Sequence, residues 1–322
     1  MEKTEKQAKP FVKWVGGKGQ LLSQIDSALP KRLFMGKEVT YIEPFVGGGA
    51  MLFYMLEKFQ NIKKAIINDI NKDLIIAYKT VRDNPNKLIN RLKEIELEYL
   101  ALNEEKRKEY FLEKRDLYNT KQLPEIENAS LFIFLNRTCF NGLYRVNSKG
   151  LFNVPFGKYA NPKICDEPTI LKDSKLLQRV EILNTDFENT LNYSDLNSIF
   201  YFDPPYRPLN TTSSFNSYAK EPFNDNEQIR LKSFCDKITT KGHYLILSNS
   251  DCKAANPKDS FFDDLYSKYK IERVWASRSI NSNSQKRGKL SELLIRNYID
   301  NKLIEIDYQF VAENKIFYYA NI

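Results

Sequence analysis

Histidine and cysteine are scarce in this sequence. His243 is the single histidine, and the four cysteines, Cys139, Cys165, Cys235 and Cys252, form no CxxC pair. That argues against a zinc site, a disulfide framework or a Cys–His pair close in sequence, so no metal is expected. It fits a reduced, cytoplasmic protein. Apolar runs of transmembrane length are missing, and the start MEKTEKQAKP has no apolar core of a signal peptide, so no membrane association is expected. Internal repeats and low-complexity tracts are also missing. Neither sign of charge dominates: 49 Lys and Arg stand against 41 Asp and Glu, a formal net charge of +8. That surplus suits a polyanionic partner but is a weak nucleic-acid signal by itself. What is plentiful is apolar and aromatic material, 42% and 13% of 322 residues, enough for a folded core and for two domains.

The pattern along the chain is that of an α/β sheet. Strand texture marks Val39–Glu43, Ala65–Asp69, Val180–Leu183, Ile199–Asp203, Tyr244–Ser248, Ile271–Ala276 and Leu290–Asn297. Helices are expected at Ala50–Phe59, from Asn71 onward, at Asp225–Thr239 and at Phe261–Lys268. Between residues 83 and 122 the texture is helical and highly charged, with Leu88, Leu92, Ile95, Tyr99 and Leu102 at helical spacing. The charges there nearly cancel, which reads as solvated helix faces rather than a DNA-binding stripe. Ser130–Arg137 reads as a buried helix, and Asn141–Tyr159, with Gly142, Gly150, Pro155 and Gly157, as a hairpin or ordered loop. The sheet is thus interrupted by a helical insertion and then resumed. The first ten residues are polar and expected to fray. Residues 299–322 read as an addition, with hairpin texture in LIEIDYQF and KIFYYA and no functional reading.

Two motifs carry chemistry. In the first, Glu43-Pro44-Phe45-Val46-Gly47-Gly48-Gly49-Ala50 joins a strand to a helix. Glycines there let a backbone approach a ligand and expose helix-terminal amides. A dinucleotide fingerprint would need glycine where Leu52 stands. A P-loop at Lys18 would need glycine at Val12 and Ser or Thr after the lysine. Asp69, at the next strand end, lies about twenty residues on, where a ribose-binding carboxylate sits in a doubly wound sheet. Together they point to a nucleoside ligand without a pyrophosphate. A tight turn at the glycines and a helix cap at Asp69 are the plainer alternatives.

The second motif, Asp203-Pro204-Pro205-Tyr206, follows the apolar strand IFYF. Two prolines stiffen the turn and remove a competing donor. The Asp203 carboxylate and the Pro204 carbonyl are then adjacent acceptors, suited to the two N–H groups of an exocyclic amine, and the Tyr206 ring can stack on a base. A proline-stiffened turn with a capping aspartate is the alternative.

In order and spacing, FVKWVGGKGQLL at 11–22, the EPFVGGGA loop, NDIN at 68–71 and DPPY resemble the Dam-type, alpha-class, DNA N6-adenine methyltransferase family, and its GATC-specific branch. The likeness continues through NRTCFNGLYRVNSKGLFNVPFGKY at 136–159 and SRSINSNSQKRGKLSELLIRNY at 277–298, so it covers about residues 11–298. The resemblance implies a doubly wound, mostly parallel sheet of the S-adenosylmethionine-dependent methyltransferase type. A mainly helical DNA-recognition domain is inserted in it. The expected division is a catalytic domain at 11–80 and 170–298, a target-recognition domain at 81–169 and an extension at 299–322.

The resemblance also implies roles. Trp14, Lys18, Phe45, Gly47–Gly49, Asp69, Asp186 and Asp203 match contacts to S-adenosylmethionine. Asp203, Pro204, Pro205 and Tyr206 match the catalytic tetrapeptide. Lys13, Phe140, Asn141, Leu143, Arg145 and Pro155 match residues that meet DNA. Phe140 stands where some members have tyrosine, which keeps stacking and loses a hydroxyl contact. The implied reaction is methyl transfer to adenine N6 in double-stranded DNA, within GATC and with the base flipped out of the duplex. Another GA-containing site such as GATATC is an alternative target. Among basic residues, Lys286, Arg287 and Lys289 are expected phosphate contacts as a group. Lys158, Lys163, Lys270, Arg273 and Arg278 are weaker candidates, each an ordinary solvated residue by default. N4-cytosine and protein-glutamine methyltransferases usually carry Ser or Asn where Asp203 stands. A catalytically silent DNA-binding module is the remaining alternative. A monomer is the expected state, with a restriction endonuclease of the same site as a partner in biology rather than in a stable complex.

Overall fold

The computed structural model describes residues 8–14, 16, 18–208, 223–277, 289–299 and 302–303. After a short helix α1 (Leu22–Ala28), β1 (Val39–Glu43), α2 (Ala50–Lys58), β2 (Ile62–Asn68) and α3 (Lys72–Asp83) alternate. Three further helices follow: α4 (Pro85–Leu100), α5 (Glu104–Asn119) and α6 (Glu125–Thr138). The chain returns through α7 (Glu167–Leu177) to β3 (Val180–Leu183) and β4 (Ser198–Phe202). The last part runs α8 (Asp225–Thr240), β5 (Tyr244–Ser250), α9 (Cys252–Ala255), α10 (Phe261–Leu265), β6 (Lys270–Ser277) and β7 (Lys289–Arg296). A short antiparallel pair, β8 (Tyr298–Ile299) with β9 (Lys302–Leu303), ends the described part.

The strands form one seven-stranded sheet in the order β3-β2-β1-β4-β5-β7-β6. The first five are parallel, and β7 runs antiparallel to both β5 and β6. Period-two alternation gives the sheet two cores. Tyr41, Ala65, Ile67, Ile199, Tyr201 and Ile246 join the core that holds α2 and α3. Ile42, Ile66, Phe200, Phe202, Leu245 and Leu247 face the other side, where Leu231 and Phe234 of α8 pack. Every residue of β1 and β4 is buried, as expected of central parallel strands covered on both faces. At the edge, the side-chain amide of Gln24 on α1 bonds both backbone groups of Trp275 in β6, at 2.9 and 3.0 Å, so that edge is capped there.

The helical insertion shares the first core. Leu88, Leu92, Ile95, Phe132 and Phe134 are continuous with Leu74, Ile75 and Tyr78 of α3. Phe134 is fully buried and packs edge-on to Tyr99 at 5.4 Å and Tyr110 at 5.7 Å between ring centroids. Asn103 caps α5, and Pro85 opens α4 at a position where no amide donor is needed. Beyond α6, two antiparallel bridges, Cys139–Phe156 and Val146–Phe152, make an ordered hairpin.

The expected elements are present, with boundary shifts that have local causes. Strand β2 starts at Ile62, because exposed Lys63 and Lys64 break the apolar run that made Ala65 look like its start. Helix α10 stops at Leu265, where Tyr266 leaves helical geometry and accepts from the Tyr269 amide at 2.8 Å. Helices α1 and α7 were not read from the sequence, although Pro168 in the first turn of α7 is a start signal. The polar start (residues 1–7) and the hairpin texture of LIEIDYQF and KIFYYA lie outside the described residues, apart from Leu303.

Because one apolar core runs through sheet and insertion, truncating it in the insertion is expected to weaken the whole chain. Phe134→Ala is expected to cost about 3–5 kcal/mol. Urea titration followed by far-ultraviolet circular dichroism should show one transition at lower denaturant. A separate early transition would make the insertion an independent folding unit.

Candidate active site

Strand order reverses between β1 and β4. From β1 the chain winds to β2 and β3 on one side, and β4 continues to β5 on the other. Loops leaving the carboxyl ends at such a point diverge and leave a crevice. Here the crevice is a cleft of about 930 Å³. The glycine loop forms its floor. Gly47 and Gly49 have positive φ, 48° and 78°. A Cβ on Gly48 would lie 2.8 Å from Cβ of Trp14, and one on Gly49 would lie 2.4 Å from the Tyr78 hydroxyl. Only glycine lets Trp14 and Tyr78 approach this closely. The Tyr78 hydroxyl uses that approach to donate to the Gly47 carbonyl at 3.0 Å.

Asn68, buried at the end of β2, ties three loops together. Its amide nitrogen donates to the carbonyls of Pro44 and Thr185, each at 3.0 Å, and its oxygen accepts from the Thr185 amide at 2.9 Å. Next to it, Asp69 accepts from the amides of Gly47 at 3.1 Å and Asn71 at 2.9 Å. The cap of α3 is Asn71, which accepts from the Leu74 amide, so the helix-cap alternative for Asp69 does not hold. Burial pushes the Asp69 carboxyl up to about 6, although its backbone donors pull the other way. Ile70 follows it, 65% exposed on the cleft wall.

The opposite wall is the Asp203 turn. Lys18 is almost fully buried, and its Nζ lies 2.9 Å from Asp203 Oδ1 and 3.3 Å from Glu292 Oε2. It also donates to the Tyr206 hydroxyl and lies 4.3 Å from the centre of that ring. The Tyr206 hydroxyl donates in turn to Glu292 at 2.6 Å. Behind the turn, Gln228 of α8 donates to the Pro205 carbonyl at 3.1 Å and accepts from Asn249 of β5 at 3.0 Å. Burial raises the Asp203 carboxyl above its ordinary range; Lys18 opposes this and Glu292 adds to it. Glu43, buried at the end of β1, is raised well above the carboxylate range by burial, despite a 2.8 Å hydrogen bond from Tyr41. Asp186 is different: the Arg230 guanidinium grips both its oxygens, at 3.0 and 2.8 Å, and holds its carboxyl low.

The cleft thus gathers Trp14, Lys18, Phe45, Gly47–Gly49, Asp69, Asp186, Asp203, Pro204, Pro205 and Tyr206. It offers apolar walls and acidic groups at its edges. Its upper rim meets the hairpin, because Trp14 stacks on Tyr144 at 5.5 Å. Asn136 binds backbone groups of Lys13 on both sides, at 2.7 and 2.8 Å, and the Gly142 carbonyl at 3.0 Å. That places Lys13 beside the turn of Phe140, Asn141 and Leu143. Phe140 is 52% exposed while Phe134 and Leu135 are buried, so its ring is available at the surface. Pro155 is exposed, and its carbonyl accepts from the Phe140 amide at 2.8 Å. Arg145 does not protrude freely: Nε and Nη2 bond the side chain and carbonyl of Asn153 at 2.8 and 3.1 Å.

Other basic candidates are engaged within the chain. Lys163 pairs with Asp166, Lys158 with Glu104, Lys270 with Glu272, and Arg273 with Asp251 and Asp263. Lys289 opens β7 opposite Ser277. Arg278, Lys286 and Arg287 lie outside the described residues. Among the described residues, no group of three His, Cys, Asp or Glu side chains is placed to hold a metal ion, and no helix is long and apolar enough to cross a membrane. Sequence reasoning missed Asn68, Tyr144, Gln228, Arg230, Asn249 and Glu292. Asn68 had a signal, since it begins NDIN. The partners of the others are distant in sequence and left none.

Residues 14–280 match the family described as D12 class N6 adenine-specific DNA methyltransferase. The chain is similar to Type II methyltransferase M.MjaIII of Methanocaldococcus jannaschii, 51% identical over 295 residues, covering 91% of this chain and 100% of the relative. It is 37% identical to Type II methyltransferase M1.LlaDCHI of Lactococcus lactis subsp. cremoris, over 92% of this chain and 98% of that one. It is 35% identical to a DNA adenine methylase of Haemophilus influenzae, over 89% and 92% of the two chains.

The tie at Asn68 is testable apart from any activity. Asn68→Ala leaves a buried amide and two carbonyls without their partner and is expected to cost about 1–3 kcal/mol. Thermal and urea unfolding check this. A loss under about 0.5 kcal/mol would mean that water replaces the side chain there.

Proposed function

This chain belongs to the D12 class of N6 adenine-specific DNA methyltransferases, and from that premise we propose how its parts divide the work. S-adenosylmethionine occupies the cleft between β1 and β4. The acceptor is an adenine turned out of duplex DNA, within GATC. The observation that carries this reading is Asp203, held by buried Lys18 at the end of the switch-point strand, in the same cleft as the glycine loop and Asp69.

The residues present fit that cofactor. The cleft volume is in the range of small-molecule sites. Asp69 keeps acceptor capacity beyond its backbone donors, which suits ribose hydroxyls. Exposed Ile70 and the Phe45–Phe187 pair, 5.2 Å apart, offer apolar surface to a purine. Asp186, fixed by Arg230, suits its amino group. Trp14, Lys18 and Gly47–Gly49 close the remaining sides. When bound, the cofactor supplies an electrophilic methyl group on a positively charged sulfur.

The protein's own task is positioning and charge. Adenine N6 is a poor nucleophile, because its lone pair is delocalised into the ring. The Asp203 carboxylate and the Pro204 carbonyl accept its two N–H groups, draw the nitrogen toward tetrahedral geometry and stabilise the positive charge that develops on it. The proton leaves after transfer, when the nitrogen is acidic, so Asp203 is not required to be a strong base. The Lys18 ammonium is held at the hydroxyl end of the Tyr206 ring, and the ring can stack on the base. Residues 81–169 form the recognition part, and residues 11–80 and 170–298 the catalytic part. Exposed Phe140 fills the gap left by the flipped base, while Lys13, Asn141, Leu143 and Pro155 meet DNA around it. Lys286, Arg287 and Lys289 contact phosphates as a group. One chain carries every group named, so a monomer suffices. A restriction endonuclease of the same site would be its biological counterpart.

The reading is tested by mapping N6-methyladenine on plasmid DNA after expression in a methylation-free host. Methylation at GATC supports it, methylation at GATATC moves the target, and DNA binding without methylation favours a silent module. Asp203→Ala is expected to slow single-turnover transfer by at least about 10²-fold, the loss of one preorganised transition-state contact. A rate within about threefold of the parent would remove Asp203 from that role.

Arg145 tests specificity. Asn153 fixes its guanidinium, and Nη1 is not part of those bonds. Arginine's planar fork matches the O6 and N7 acceptors of guanine. Arg145→Ala is expected to cost about 1–3 kcal/mol on GATC and little on near-cognate sites. The check is kcat/KM on GATC and its single-base variants at two salt concentrations. A uniform loss with a shallower salt slope would make Arg145 a phosphate contact.

A further inference from the structure

Glu292 has no place in the chemistry above, yet it sits against the residues that perform it. It lies in β7, between Ser250 of β5 and Val274 of β6, and most of its side chain is buried. One carboxylate oxygen accepts from the Tyr206 hydroxyl at 2.6 Å and faces Lys18 Nζ at 3.3 Å. The same ammonium lies 2.9 Å from Asp203. One buried cation thus serves two carboxylates that approach from different strands.

We propose that Glu292 is a positioning residue for methyl transfer: by sharing the Lys18 ammonium and holding the Tyr206 hydroxyl, it keeps Asp203 an incompletely neutralised acceptor for the target amino group.

The argument is one of divided donors. An ammonium has three N–H groups. If Lys18 served Asp203 alone, it would take up more of the acceptor capacity of the carboxylate that must accept from N6 and would cancel more of the charge that stabilises the developing cation. Glu292 and Tyr206 draw part of that donor capacity away. The groups facing Asp203 are Lys18 from the N-terminal segment, Glu292 from β7, Glu43 and Tyr41 from β1, Tyr201 from β4 and Tyr206 from its own turn. Burial pushes the Glu43 carboxyl well above its ordinary range, so Glu43 is a poorer source of negative charge beside Asp203 than Glu292.

A pH profile separates this role from a merely structural one. Transfer needs ionised Asp203, so the rate falls as pH drops through that carboxyl's pKa. The charge of Glu292 raises that pKa. Removing the charge lowers it, and the acidic limb of the profile moves to lower pH.

The experiment measures single-turnover methyl transfer against pH for the full chain and Glu292→Gln on duplex DNA, with cofactor and DNA affinities and a thermal melt alongside. The expected result is a plateau rate reduced about tenfold, less than the loss of a direct transition-state contact, with affinities nearly unchanged and the acidic limb shifted down. A parental rate with an unmoved limb overturns the proposal, and so does a slowed enzyme whose limb stays in place or moves up. If Glu292→Gln does not fold, Glu292→Asp keeps the charge: its limb is expected at the parental pH, and a displaced limb overturns the proposal. The inference rests on Asp203 as the N6 acceptor. Asp203→Ala at the parental rate would overturn both readings, whereas an inactive Asp203→Ala beside an unaltered Glu292→Gln would overturn this one alone.

Discussion

The Lys18 ammonium is taken almost wholly out of water, which costs several kcal/mol unless its donors and charge are met. Asp203, Tyr206 and Glu292 meet them. Three distant parts of the chain are thereby brought to one point: the N-terminal segment, the turn after β4 and the antiparallel strand β7. The cleft wall is an electrostatic assembly, and its position depends on where the sheet puts β4 and β7. Breaking one partner would leave a buried charge uncompensated, so the arrangement is held as a unit.

The rim of the cleft is built by packing instead. The glycines after β1 have no side chain, and Trp14 fills that space from the N-terminal segment. The indole stacks on Tyr144, in the hairpin that carries Phe140 and Arg145. Asn136 at the end of α6 holds the backbone of Lys13 and Gly142 together by three hydrogen bonds. The surface offered to DNA and the floor of the cofactor cleft therefore share one contact layer. Both rest on a single apolar core that runs from the sheet into the insertion.

Much of this was legible before any coordinates. The apolar runs of β1 and β4, the three glycines and the prolines of the Asp203 turn are local features, and the local chemistry that marks them also shapes them. The chain direction of β6 and β7 was not legible, because an apolar strand reads the same in either sense. Helix α7 is announced locally by Pro168 in its first turn. The hold of Asn153 on Arg145 was not legible either, because Asn153 comes from the return arm of the hairpin. Arg273 and Lys270 read as free cations because Asp251, Asp263 and Glu272 join them only through the sheet edge.

The sequence by itself determined the chemistry: which residues can bend, which can accept, and the order in which the motifs follow one another. Those are properties of residue types and short spacings, and they decide what a loop is able to do. Tertiary structure alone decided the partnerships. Lys18 and Glu292 are 274 positions apart, and nothing near either one foretells the other. Their meeting is set by strand order, which places β7 beside β5 and within reach of the turn after β4. Burial then turns that proximity into chemistry, because a carboxylate beside an ammonium matters far more in a desolvated cleft than in water.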